Sequence, residues 1–128
     1  MKKLFLVLFA SVFALTACGA AGAVTTLNVS DFAKKISDTS VVLLDVRTPG
    51  EFASGHIAGA TNIDFESGTF ASDILKLDKN KTYAVYCRSG NRSAQATALM
   101  AKDGFKSIFN LNGGIINWQS AGNALVNG

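Results

Sequence analysis

The run Val41-Val42-Leu43-Leu44-Asp45-Val46 restricts the fold more than any other stretch of the chain. It has the length of a strand and does not alternate between apolar and polar residues. A strand built from it must therefore be covered on both faces, as in a parallel sheet flanked by helices. A second run of this kind, Thr82-Tyr83-Ala84-Val85-Tyr86, follows the polar turn Asp78 to Lys81, and Ser107 to Leu111 reads as a last strand. Thr25 to Val29 reads as a weaker first strand and Ala60 to Ile63 as a brief one.

Helical signals separate these runs. Ser30 is the expected N-cap of a helix beginning at Asp31, with Phe32 and Ile36 inside. Thr48-Pro49-Gly50-Glu51 combines a capping box with proline at the first helical position, which predicts a short helix through Phe52 to about Ser54, stopped by Gly55. Ala71 to Leu77 reads as a helix burying Ile74, Leu75 and Leu77. Ala94 to Lys102 reads as another, with Ala96, Leu99 and Met100 inside and Gly104 just past its end. Gly113-Gly114 turns into a last helix carrying Ile115, Ile116 and Trp118. Phe105, Phe109 and Trp118 are expected in the core; Tyr86 and Phe65 are either core or pocket wall. Strands alternating with helices predict an α/β fold, a mostly parallel sheet with helices on both faces.

The first residues carry a different signal. Lys2 and Lys3 precede an apolar stretch, Leu4 to Leu15, and Leu15-Thr16-Ala17-Cys18 closes it with small residues before a cysteine. Residues 1–17 are expected to be a secretory signal of the lipoprotein type, since the ending resembles a bacterial lipobox, which implies lipidation of Cys18. The apolar stretch is shorter than the roughly 20 residues of a spanning helix. Residues 18–24 would be the lipidated cysteine and a short Gly/Ala tether, and residues 25–128 one domain. The expected location is extracytoplasmic, on a bacterial membrane. Over the whole chain, 12 Lys and Arg against 9 Asp and Glu give a net charge of +3. Without Lys2 and Lys3 the balance is 10 against 9, or +1, and no basic run remains to suggest a nucleic-acid partner. A monomer with no cofactor and no metal is expected.

Of the two cysteines, lipidation of Cys18 would leave Cys87 as the sole thiol in a compartment where thiols oxidise. Cys87-Arg88-Ser89-Gly90-Asn91-Arg92-Ser93 lies where a strand ends, a glycine-bearing loop turns and a helix begins. Free backbone amides and the helix dipole favour a thiolate there, and Arg88 and Arg92 add full charges. At the carboxyl end of a parallel strand, this is where the reactive group of such a sheet belongs. The competing reading is a buried, inert cysteine. Ser93 is a candidate cap for the helix that follows, and Ser89 and Asn91 can brace the loop.

Asp45-Val46-Arg47, Glu51-Phe52, Gly55-His56-Ile57-Ala58-Gly59-Ala60-Thr61-Asn62-Ile63, the Cys87 to Ser93 loop, and Leu111-Asn112-Gly113-Gly114 with Trp118 together resemble the rhodanese (sulfurtransferase) domain, from about residue 25 to 122. The resemblance implies a five-stranded parallel sheet and a catalytic cysteine that carries sulfur as a persulfide, with thiosulfate as a usual donor and cyanide or a thiol as acceptor. Cys87 would be the nucleophile, the loop residues Arg88 to Ser93 the substrate cradle, and Arg88 or Arg92 the contact to the anionic donor. Asp45 and Arg47, charged residues following a buried strand, are read as hydrogen-bonded scaffold that ties neighbouring loops together, and His56 as structural support, since a thiolate activated by dipole and arginines needs no base. The spacing Cys-x4-Arg is shorter than the Cys-x5-Arg of phosphatases and arsenate reductases of the same fold, and suits one sulfur atom. A partner-dedicated sulfur carrier or docking module is the alternative, with a protein thiol as acceptor.

Overall fold

The computed structural model describes residues 24–128. The expected signal segment, Cys18 and nearly all of the tether lie outside the described residues. Five strands form one sheet: β1 (Val24–Leu27), β2 (Val41–Asp45), β3 (Thr61–Asn62), β4 (Thr82–Tyr86) and β5 (Ser107–Leu111). Their order is β1-β5-β4-β2-β3 and every pairing is parallel. The helices are α1 (Val29–Ile36), α2 (Pro49–Ser54), α3 (Phe70–Asp73), α4 (Asn91–Lys102) and α5 (Gly114–Ser120).

The unbroken apolar runs have a direct structural reason. Successive side chains of a strand point to opposite faces, and both faces here are covered. Leu44 and Val46 of the β2 segment, with Tyr83 and Val85 of β4, pack against Phe70 and Ile74 around α3 and Ala96 and Met100 of α4. Leu43, Ala84 and Tyr86 point the other way, onto Phe32 of α1 and Ile115 and Trp118 of α5. Phe32 and Trp118 meet edge to face, with ring centroids 6.4 Å apart.

Several boundaries differ from the sequence reading. The first helix starts earlier, because Asn28 rather than Ser30 caps it: its Oδ1 accepts the Asp31 N–H at 2.8 Å. The segment expected as one helix from Ala71 is a single α-turn followed by a 3-10 turn over Ile74–Lys76. That tightening turns Leu75 outward, 58% exposed, while Ile74 remains buried. Of the apolar residues carried on α5, Ile115 and Trp118 are buried and Ile116 is exposed. Phe109 is half-buried, with the Lys35 ammonium 4.2 Å above its ring. The capping box at α2 is present, and Gly55 ends that helix.

From β2 the chain moves outward to β3, and from β4 it moves the opposite way to β5. The carboxyl ends of β2 and β4 therefore flank the point where the winding direction changes, the place where open parallel sheets bind ligands. Arg47 and Cys87 follow those two ends.

Candidate active site

Cys87 is the first residue beyond β4, and Gly90 is the N-cap of the twelve-residue α4. Gly90 has φ 105°, a left-handed conformation that glycine adopts without a Cβ penalty, and its N–H donates to Cys87 Sγ at 3.0 Å. No side chain caps α4: Ser93 lies inside the first turn, where its Oγ donates to the Gly90 carbonyl at 3.2 Å, so the expected Ser93 cap is replaced by Gly90. The remaining amides of that turn have no partner within the helix. Ser89 and Asn91 are exposed.

The other side of the loop is held by α5. The Ile115 and Ile116 N–H groups donate to the Cys87 and Arg88 carbonyls at 2.9 and 3.1 Å. This approach requires Gly114, since a Cβ there would stand 2.5 Å from the Arg88 oxygen and 2.6 Å from the Cys87 oxygen. With carbonyls drawn toward α5, the loop can offer amides to the sulfur.

The two loop arginines have different surroundings. Arg92 forms a two-pronged ion pair with Glu51 of α2, Nη1 to Oε1 at 2.7 Å and Nη2 to Oε2 at 2.9 Å, and Glu66 approaches Nη1 at 3.6 Å. The Arg92 hydrogen bonds hold the Glu51 carboxyl down to about 2, and the same bonds raise Arg92. Arg88 is exposed and makes no ion pair among the described residues. It lines an open cleft of about 390 Å³ together with Arg47, Glu51, Ser54 and Gln119 and with the apolar Ile115, Ile116 and Leu125.

Cys87 itself is buried, with none of its surface exposed, and it packs in the same apolar cluster as Val85 and Ala96. The loop residues around it are exposed or half-exposed, so the sulfur lies beneath the loop and not at its mouth.

Asp45 and Arg47 form a buried pair at the carboxyl end of β2. Arg47 Nη2 donates to Asp45 Oδ2 at 2.7 Å and to the Gly55 carbonyl at 2.6 Å, and Nε donates to Oδ1 at 3.0 Å. Burial works against the Arg47 charge, but the Asp45 hydrogen bond and charge outweigh it and raise its pKa. His56 is buried away from the cleft lining; its Nδ1 lies 2.9 Å from the Phe52 carbonyl and its ring stacks on Phe52 at 3.7 Å. Tyr86 is core, and its hydroxyl accepts the Ile57 N–H at 3.0 Å. Phe65 is half-buried, edge-on to Phe70.

Sequence reasoning missed Glu51 and Glu66 as partners of Arg92, and Leu125 as cleft wall. Glu51 was visible in the capping box and in the Glu51-Phe52 part of the resemblance but not as a partner of Arg92, since that bond spans 41 residues.

Comparison with known proteins bears on the whole domain. The rhodanese-like domain family model matches residues 28–121. A sulfurtransferase of Allochromatium vinosum is 34% identical over 104 residues, covering 80% of this chain and 95% of that protein. The thiosulfate sulfurtransferase GlpE of Pseudomonas aeruginosa is 34% identical over 88 residues, 69% of this chain and 78% of that protein. The crystal structure of a rhodanese-related protein from Thermoplasma volcanium superposes with a TM-score of 0.71 at 33% identity, over 80% of this chain and 97% of that one. A family match of this length, joined to relatives whose own span is mostly covered, makes the chain a member of the rhodanese-like domain family.

Proposed function

We infer that this protein is a sulfurtransferase that carries sulfane sulfur on Cys87. The observation that carries the reading is the Gly90 N–H on Cys87 Sγ at 3.0 Å, at the start of α4, where dipole and free amides favour an anionic sulfur. Relatives named sulfurtransferase and thiosulfate sulfurtransferase support the reaction class.

With thiosulfate, the Cys87 thiolate attacks the outer sulfur and the sulfur–sulfur bond of the donor breaks. Sulfite leaves with the bonding electron pair, and Cys87 becomes a persulfide anion. A nucleophile such as cyanide then attacks the outer sulfur of the persulfide, leaves as thiocyanate and restores the thiolate. Arg88 draws in the anionic donor, because its charge is uncommitted while that of Arg92 is held by Glu51. Arg92 and Ser93 brace the loop, Gly90 supplies its donor, and Ser89 and Asn91 border the entrance. Asp45, Arg47 and His56 hold the neighbouring turn.

Residues 1–17 are proposed to direct export and residue 18 to take the lipid, with the domain from residue 25 held close to a bacterial membrane by the tether. Native protein should then fractionate with membranes, and Cys18→Ala should release it or block its maturation.

The test of function is thiocyanate formation from thiosulfate and cyanide, wild type beside Cys87→Ser. Wild type should turn over and gain one sulfur atom in intact mass, removable by cyanide, whereas Cys87→Ser should do neither. Hydrolysis of an aryl phosphate by wild type with no thiocyanate would overturn the reading.

A further inference from the structure

Charge is divided between the two ends of the sheet. All three arginines, Arg47, Arg88 and Arg92, lie at the carboxyl ends of the strands, and all seven lysines of the described residues lie toward the amino ends. Lys34 and Lys35 are in the last turn of α1, Lys76 closes the 3-10 turn, and the other four surround the starts of β4 and β5. Against the seven lysines stand Asp38, Asp73, Asp78 and Asp103, which leaves the amino end at +3. The three arginines face five carboxylates, which leaves the carboxyl end at −2. The small total charge of the domain therefore hides a basic end and an acidic one.

Four lysines make one surface of the basic end. Lys81 and Lys106 immediately precede Thr82 and Ser107, which are partners in register on β4 and β5, so the two lysines start neighbouring strands. The Lys106 N–H donates to the Lys79 carbonyl at 3.1 Å and joins the two turns. Lys102 is the last residue of α4, just before the turn that leads to Lys106. Lys81, Lys102 and Lys106 are exposed and Lys79 is half-buried; none of the four makes an ion pair among the described residues. β1 begins at this same end, since Val24 is in register with Ile108, two residues beyond Lys106. The segment that carries Cys18 thus joins the domain at its basic end, while Cys87 follows β4 at the other.

We propose that the lysine-bearing end of the sheet is a docking face for an anionic lipid surface, and that it holds the Cys87 loop turned away from the membrane. The inference rests on the anchoring proposed above. Six residues from Cys18 to Val24 span at most about 20 Å, so a lipid on Cys18 brings the face beside Val24 to the bilayer. Lysines held within a Debye length of anionic headgroups are attracted to them, and the acidic end is repelled.

The experiment floats the full chain with vesicles of phosphatidylcholine alone or with phosphatidylglycerol added. Wild type should bind the anionic vesicles more tightly, and high salt should remove the difference. Lys81→Gln/Lys106→Gln should weaken binding to the anionic vesicles by about fivefold for each lysine, with binding to phosphatidylcholine unchanged. Lys2 and Lys3 are common to both proteins and cancel. Ala53→Glu/Ala71→Glu lowers the net charge equally on exposed helix positions after β2 and β3, and should bind as wild type does. On bound wild type, an acylating reagent should label Lys81, Lys102 and Lys106 more slowly on anionic than on neutral vesicles, while phenylglyoxal modifies Arg88 equally on both. Equal weakening in the two double variants, or protection of Arg88 in place of the lysines, would overturn the proposal. Tighter binding to an RNA duplex than to anionic vesicles at equal phosphate would assign the face to nucleic acid and overturn it too. Membrane fractionation of Cys18→Ala judges the anchor separately, so either reading can fail alone.

Discussion

Two turns at the carboxyl ends of neighbouring strands solve the same geometric problem in different ways. Asp45 and Tyr86 are partners in register on β2 and β4, and each strand then bends into a helix. The turn after β2 is built from side chains: the Asp45–Arg47 pair, Asn62 Nδ2 on the Asp45 and Arg47 carbonyls, and the Thr48–Glu51 capping box. The turn after β4 is built from backbone, with a left-handed Gly90 and no side-chain cap. A turn made of side chains uses its donors internally and is committed. One made of backbone keeps its first helical amides available to an anion. The committed turn also steadies the other, because Glu51 reaches from α2 to Arg92.

The contrast can be broken by substitution, and the largest loss should come from the committed turn. Arg47→Ala strands the buried Asp45 carboxylate and should cost about 3–5 kcal/mol in a urea melt; a loss under about 1 kcal/mol would mean that the pair does not hold the turn. Next is the link between the turns. The Glu51 carboxyl sits at about 2 against an ordinary 4.5 because Arg92 bonds to it. A depressed folded value stabilises the fold fully above the unfolded value, and that stability is lost as pH falls from about 4.5 toward 2. After discounting for solvent screening, roughly 1–2 kcal/mol should disappear across this window, and Glu51→Gln should flatten that part of the stability profile. An unchanged profile in Glu51→Gln would assign the acid sensitivity elsewhere. The smallest change in stability should follow Arg88→Gln, within about 0.5 kcal/mol, since the side chain is exposed. That variant should nevertheless raise KM for thiosulfate about tenfold, the loss of one charge-assisted contact. An unchanged KM would remove Arg88 from donor binding.

What could be read from the sequence follows the range of the interactions involved. β2 and β4 were legible because a strand covered on both faces leaves an apolar run of strand length bounded by turn residues. The α2 capping box was legible because its partners are three residues apart. The start of α1 was misread because Asn28 and Ser30 are both good caps, and packing of Phe32 on the sheet decides between them. Leu75 was misassigned because a 3-10 turn changes which residue faces inward, and nothing local announces it. Within the site, the position of Cys87 was legible but its full burial was not, since the loop's fit over the sulfur depends on α5. The division of labour between Arg88 and Arg92 depends on Glu51, far away in the chain.

The glycine at the start of α5 sets the order in which the site can come into being. Gly114 lets the amides of residues 115 and 116 take the carbonyls of Cys87 and Arg88. A chain made from its N-terminus therefore lacks the two bonds that tie the Cys87 loop to α5 until that last helix has emerged and docked. The loop over the sulfur is thus completed by the last helix of the fold, and a chain cut before residue 114 lacks that support.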